Sequence, residues 1–166
     1  MHPRSIIEVM HRRRPIITVA KCLLLVACLS AARPDRRIVD RVTVGDVRGE
    51  ADHAYAGADV TSGVSGGRAF REARGWLRYA LTVFDDTEVT VAFTFLGADA
   101  PRTFDVIVEN HLVSSYAFRS AVPATLELRV PLELTKGKTN ILVTLRATNG
   151  PTPALLELRS VQDHNE

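Results

Sequence analysis

Apolar and polar residues alternate with period two along most of the chain beyond residue 35. The clearest stretch is Gly75 to Phe95. There Trp76, Arg78, Ala80, Thr82 and Phe84 alternate with Leu77, Tyr79, Leu81 and Val83, and a second β-branched run follows from Val89 to Phe95. Such alternation gives the two faces of a strand different chemistry, one for a core and one for solvent or a second layer. The polar Asp85-Asp86-Thr87 between the runs is short enough to reverse the chain. An antiparallel hairpin is therefore predicted at the centre of the fold.

The same pattern marks other strands. Arg36 to Val44 reads as the first, ended by the turn signal Gly45-Asp46. Val47 to Gly75 is dense in Gly, Ala and Ser and weakly patterned, with edge strands around Thr61 to Val64 and Arg68 to Ala73. Gly97 to Arg102 reads as a loop, because Pro101 cannot donate to a ladder. Strands follow at Thr103 to Val108, His111 to Phe118, Thr125 to Val130, Ile141 to Ala147 and Leu155 to Val161. Glu109-Asn110 supplies a two-residue reversal, since Asn tolerates the left-handed backbone a tight hairpin needs. Pro131 stops one strand, and Leu132 to Lys138 is a connection.

No amphipathic helical run of ten residues occurs after residue 40, which disfavours βαβ units and a parallel sheet. About eight short strands at regular spacing predict an all-β fold, an antiparallel two-sheet β-sandwich of jelly-roll type. The predicted core is Leu77, Tyr79, Leu81, Val91, Phe93, Phe95, Phe104, Val106, Val108, Leu126, Leu128, Leu142, Val143, Leu145, Leu156 and Leu158.

A different grammar rules the start. Arg12 to Arg14 form a basic region, an apolar run broken only by Lys21 follows, and small residues close it at Ser30, Ala31 and Ala32. That is the pattern of a signal peptide. The run is shorter than the roughly 20 apolar residues that span a bilayer. Leu25-Val26-Ala27-Cys28 looks like a bacterial lipobox, so three fates stand open for the leader: lipidation at Cys28, cleavage after Ala32, or retention. The expected organisation is a leader over 1–34 and a β-sandwich module over 35–166, exported, with any membrane attachment confined to the leader or a lipid. Both cysteines, Cys22 and Cys28, lie in the leader. A mature domain without cysteine must be stabilised by its core alone.

Composition changes this picture little. With 46% hydrophobic and 24% charged residues in 166, the chain suits one domain and an appendage. The net charge of +2 is unevenly placed: six of the 21 basic residues but only one of the 19 acidic ones fall within 1–34. The body is thus mildly acidic and its Lys and Arg are scattered, which excludes a phosphate-tracking nucleic-acid binder.

Candidate chemistry is sparse. A nucleophile needs a base nearby, and the body offers only His53, His111 and His164. His53 beside Asp52 and Tyr55 reads as a solvated loop residue, His111 as a turn residue, and His164 as part of the tail. No Cys/His cluster has zinc spacing, so neither a metal nor a cofactor is expected. Asp85-Asp86 cannot act as a glycosidase pair, because neighbours on a turn point apart. Asp105 is expected to pair with Arg102. Gly63 to Gly67 lacks the Lys-Ser/Thr and helix of a phosphate loop and reads as a flexible loop. No catalytic residue emerges. For binding, an exposed aromatic beside Arg and Asp is the pattern to seek. The candidates are Trp76, the single tryptophan, and Tyr55, with Arg102 and Asp105 as polar partners; Phe70 and Tyr116 are further aromatics.

Three blocks carry a resemblance. They are Gly75-Trp76-Leu77-Arg78-Tyr79-Ala80-Leu81, then Phe95 to Asp99 with Arg102-Thr103-Phe104-Asp105-Val106-Ile107-Val108, then Val130-Pro131-Leu132-Glu133-Leu134-Thr135-Lys136-Gly137-Lys138. In order and spacing the chain resembles, from about Asp40 to Val161, the C-terminal β-sandwich module of bacterial proteins related to glycoside hydrolase family 127, the β-L-arabinofuranosidase-like enzymes. The resemblance implies a galactose-binding-like, non-catalytic accessory module of undefined function. It also implies carbohydrate or a glycoside hydrolase catalytic domain as partner. In that family catalysis belongs to an (α/α) barrel with a glutamate and a cysteine-rich zinc site, which nothing in this chain matches. Glu109-Asn110-His111 departs from the acidic-Gly turn usual in the family. The alternative expectations are a structural or protein-interaction domain without sugar affinity, and a fragment of a larger glycosidase.

Overall fold

The computed structural model of the chain describes residues 35–84 and 87–164, apart from the side chains of Asp35, Asp99 and His164. The leader with Cys28, the Asp85-Asp86 pair and the His164 side chain therefore lie outside the described residues. Among the described residues nine strands form: β1 (Asp35–Thr43), β2 (Ala56–Ser65), β3 (Arg68–Thr82), β4 (Val89–Phe95), β5 (Ala98–Val108), β6 (His111–Ser120), β7 (Ala124–Val130), β8 (Asn140–Asn149) and β9 (Leu155–His164). One short helix, α1 (Val47–Asp52), and a 3-10 turn at Leu132–Leu134 complete the described elements. No helix among the described residues is long and apolar enough to cross a membrane.

All pairings are antiparallel. One arm of the fold runs β2-β3-β8-β5-β6 and the other β1-β9-β4-β7, and they join where Arg71 of β3 meets Leu155 of β9. This is the expected all-β sandwich, nearly closed on itself. Its core is built mainly from the inward sets of three strands, Leu77, Tyr79, Leu81 and Val83 from β3 and its exit, Val89, Val91, Phe93 and Phe95 from β4, and Phe104, Val106 and Val108 from β5. Leu142, expected in the core, faces the other way, because Ile141, Val143 and Leu145 occupy the inward positions of β8.

The expected hairpin between β3 and β4 does not form. β3 pairs with β2 and β8, and β4 with β7 and β9. The connection passes from one sheet to the other, so the two apolar faces pack across the core instead of side by side. It carries no Gly or Asn to make a tight reversal. Instead the buried Gln162 holds it: its Oε1 accepts from Phe84 N at 2.6 Å, and its Nε2 donates to Phe84 O at 3.0 Å and to Thr87 Oγ1.

Other loop expectations also change. Gly63 to Gly67 is no loose loop but the end of β2 and a two-residue turn into β3. Gly66 and Gly67 have φ +55 and +75, as a primed hairpin turn requires. Pro101 lies within β5, at an irregularity in its pairing with β6, where no ladder bond is demanded of it. The reversal at Glu109-Asn110 forms as expected, with φ of +50 and +66.

The weakly patterned segment holds α1, invisible to periodicity because it has under two turns. Asp46 caps it by accepting from Gly49 N at 3.2 Å. α1 presents Glu50 inward, where the carboxylate takes two bonds of 2.7 Å from Arg71 and one of 3.1 Å from the Tyr79 hydroxyl.

Candidate functional site

Trp76 is placed by the parity of β3. Because Leu77, Tyr79 and Leu81 go inward, Trp76, Arg78 and Ala80 must lie on the outer face of the sheet. Registers then define what lies beside them. Ala58, Trp76, Arg146, Asp105 and Ser115 form one row across β2, β3, β8, β5 and β6. Ala56, Arg78, Thr144, Ile107 and Leu112 form the next. The small Ala56 and Ala58 leave room at one margin.

A shallow cavity of about 190 Å³ opens in this face, lined by Trp76, Arg78, Ile107, Asn110, Thr144 and Arg146. The Arg78 guanidinium lies over the indole ring, 5.3 Å from its centre. Asn110 reaches the cavity from the β5–β6 turn, which Glu109 pins to β8: its carboxylate accepts from Leu142 N at 2.6 Å and from Lys138 Nζ at 2.8 Å. Arg146 is oriented from the other side, by a 2.6 Å bond from Nη2 to the buried Asp105 carboxylate. Ser115 Oγ donates to the second oxygen of Asp105 at 2.6 Å. Hydrogen bonds from Ser115 and then Arg146 hold the Asp105 carboxyl below the usual aspartate range. An apolar ring, an amide, a hydroxyl and two guanidiniums thus converge on one cavity.

Beside it the backbone is irregular. Arg74 and Gly75 of β3 oppose the single Asp59 of β2, whose φ is +53. A Cβ on Gly75 would lie 2.7 Å from Ala58 O, so only glycine permits this approach next to Trp76.

Of the four expected binding residues, Trp76 and Asp105 share the row. The expected Arg102–Asp105 pair does not form: three positions apart on a strand, they face opposite ways, and Arg146 from β8 takes the carboxylate. Tyr55 and Arg102 stand away from the row. Tyr55 is half-buried, stacked on the inward Tyr79 at 5.0 Å with Arg71 4.6 Å from its ring centre. Arg78, Arg146, Thr144 and Asn110 were absent from the sequence candidates. Arg78 was legible in principle, two residues from Trp76 on one strand, while Arg146 needed the register of β8.

His53 is not a solvated loop residue. Its Nδ1 contacts Gly49 O at 2.5 Å and its Nε2 contacts Asp40 Oδ1 at 3.0 Å. Two acceptors demand two N–H donors, the protonated ring. Burial pulls its pKa down, but bonds to Asp40 and Gly49 O outweigh that, and the net shift is upward from 6.5. Asp40 shifts downward overall: burial opposes this, and bonds from Thr82 N, His53 and Arg41 N prevail. A raised histidine contributes stability that is complete below its unfolded value and lost as pH rises through its folded value. The wild-type protein is therefore expected to lose melting temperature relative to His53→Gln as pH climbs from 6 to 8. Parallel thermal melts check this, and unchanged spacing between the two profiles would contradict it.

Among the described residues no three His, Cys, Asp or Glu side chains gather to hold a metal. In fold the chain is similar to solved carbohydrate binding modules of family 35. One, from an environmental isolate, is 12% identical and superposes with a TM-score of 0.57 over 76% of this chain and 98% of that one. Another, from Clostridium thermocellum, is 14% identical with a TM-score of 0.53 over 76% and 96%. An exo-β-1,3-galactanase from Phanerochaete chrysosporium is 10% identical with a TM-score of 0.52; the match covers 72% of this chain and 28% of the enzyme. No curated protein matches the chain by sequence. The model of a family of unknown function, DUF6805, matches residues 34–161.

Proposed function

The chain belongs to the family of unknown function DUF6805, and from that premise we propose that it is an exported, non-catalytic module that binds carbohydrate and accompanies glycoside hydrolases. The observation that carries the reading is Trp76, set in the outer-face cavity with Asn110, Thr144 and Arg146 around it. An aromatic face suits the apolar C–H face of a sugar ring, and the surrounding donors and acceptors suit its hydroxyls. The fold shared with family 35 carbohydrate binding modules supports the same reading, as does the match to part of a galactanase. Asp105 serves here as a positioning group for Arg146.

The three sequence blocks around Trp76, Phe104 and Pro131 favour glycoside hydrolase family 127 as the enzyme class that the module serves. The absence of catalysis is supported by the described histidines. His53 is committed to Asp40 and Gly49, and His111 Nδ1 to Glu109 O of its own turn at 2.8 Å. Residues 1–34 would direct export, by lipidation at Cys28 or by cleavage after Ala32.

A glycan array of plant polysaccharides tests the reading, with Trp76→Ala checked for folding by circular dichroism. A specific hit weakened about thirtyfold in the folded variant is expected, the change that accompanies about 2 kcal/mol at a central aromatic contact. A silent array, or a hit indifferent to the substitution, would reject the site.

A further inference from the structure

Two hairpin turns of this fold hold left-handed backbone at both central residues, and the chain fills them differently. Between β2 and β3 stand Gly66 and Gly67, at φ +55 and +75, with open space where each Cβ would lie. Glycine serves there for its backbone alone. Between β5 and β6 stand Glu109 and Asn110, at φ +50 and +66. Asparagine tolerates that region but glutamate seldom enters it, so the second turn carries a strain that glycine would relieve.

Such strain persists only where the surroundings over-determine it. Glu109 is held on β8 by both backbone groups of Leu142: Glu109 N donates to Leu142 O at 3.0 Å, and Leu142 N donates to the Glu109 carboxylate at 2.6 Å. The other carboxylate oxygen accepts from Lys138 Nζ at 2.8 Å, from the connection that leads into β8. Burial opposes ionisation of Glu109, but the bonds from Lys138 and Leu142 N prevail and hold its carboxyl below the usual glutamate range. The next residue, Asn110, lines the cavity with Trp76 and Thr144. Among the described residues no hydrogen bond engages its side-chain amide.

We propose that this turn sets the selectivity of the saccharide site, with Asn110 reading the ligand's hydroxyls and Glu109 as its positioning residue. The inference rests on the reading of this face as a saccharide site and names what the site distinguishes, the configuration of neighbouring hydroxyls on a sugar ring. An amide offers an acceptor and a donor side by side in one plane, so one hydroxyl donates to Oδ1 while its neighbour accepts from Nδ2. An epimer that turns either hydroxyl away leaves the amide half-paired and is bound less well. Glycine at both positions would keep the turn and lose the reader, which accounts for side chains where the β2–β3 turn has none.

Calorimetric titration of the full chain with gluco-, manno-, galacto-, xylo- and arabino-oligosaccharides tests this, with a thermal melt of every variant alongside. One sugar is expected to bind ahead of the others. Asn110→Gly should weaken that sugar about five- to tenfold, the change that accompanies one lost hydrogen bond, and weaken its competitors less. Its melting temperature should stay level or rise, since the turn is relieved; affinity lost without stability is not what a purely structural turn would give. Glu109→Gly should weaken the same sugar although Asn110 is still present. Glu109→Gln, whose amide oxygen can still accept from Leu142 N, should recover part of that loss. If Asn110→Gly keeps wild-type affinity, or weakens all sugars equally, the inference is overturned, while a loss in Trp76→Ala would leave the site standing. Absence of binding by all five sugars would overturn both readings.

Discussion

Replacing Phe95 with alanine is expected to cost about 4 kcal/mol of folding stability, within the range for truncating a fully buried phenylalanine. Phe95 on β4 has no exposed surface, and its ring meets Phe104 of β5 edge-on at 5.5 Å and Phe118 of β6 at 5.0 Å. Those strands belong to the other arm. The ring therefore joins the two sheets close to where β6 hands over to β7, two strands that follow each other without pairing. Little can collapse into the vacancy, because Phe93 at 6.0 Å and Phe104 are themselves confined by the core. Against a typical total of about 5–15 kcal/mol, such a loss is severe. Urea denaturation measures it, and a change below about 1 kcal/mol would mean that the arms do not depend on this contact.

Glu50→Ala is expected to cost about 3 kcal/mol, the low end for breaking a buried ion pair because Arg71 retains some exposure. Glu50 is 2% exposed and anchors α1 at the end of the sandwich. Its removal leaves Arg71 with only Ser62 Oγ and the Tyr55 ring for company, and leaves the Tyr79 hydroxyl unpaired in the core. In the intact protein burial, then the Glu50 charge, holds the Tyr79 phenol well above its ordinary value; in the variant burial remains and still disfavours the phenolate. The Arg71 guanidinium moves upward through its bond to Glu50. Because the loss comes from an orphaned partner, the double variant Glu50→Leu, Arg71→Met should recover much of it. Denaturation midpoints that fall further in the double variant would show that the pair stabilises in its own right.

The strands were legible because period two is a local signal: parity alone sends Leu77, Tyr79 and Leu81 inward and Trp76 outward. Pairing was not. Asp85-Asp86-Thr87 looked like a reversal, yet whether a chain turns back beside itself or crosses to a facing sheet depends on partners far away, here Gln162. Asp105 shows the same limit. Arg102 was near in sequence, but Arg146 came into contact only through the β5–β8 register. α1 was too short to show a helical period, so the Glu50–Arg71–Tyr79 cluster it creates left no trace in the sequence pattern. Half of the Trp76 site was readable from β3, and the rest had to wait for β8 and the β5–β6 turn.

Trp76 is the single tryptophan of the chain, so its intrinsic fluorescence reports on the proposed site without a label. The most direct measurement is an emission titration of the protein with the polysaccharide that binds it on the array. A saturable change in Trp76 emission, with the same midpoint as the heat of binding, is expected. Binding heat with an unaltered Trp76 spectrum would place the ligand elsewhere and contradict the outer-face site.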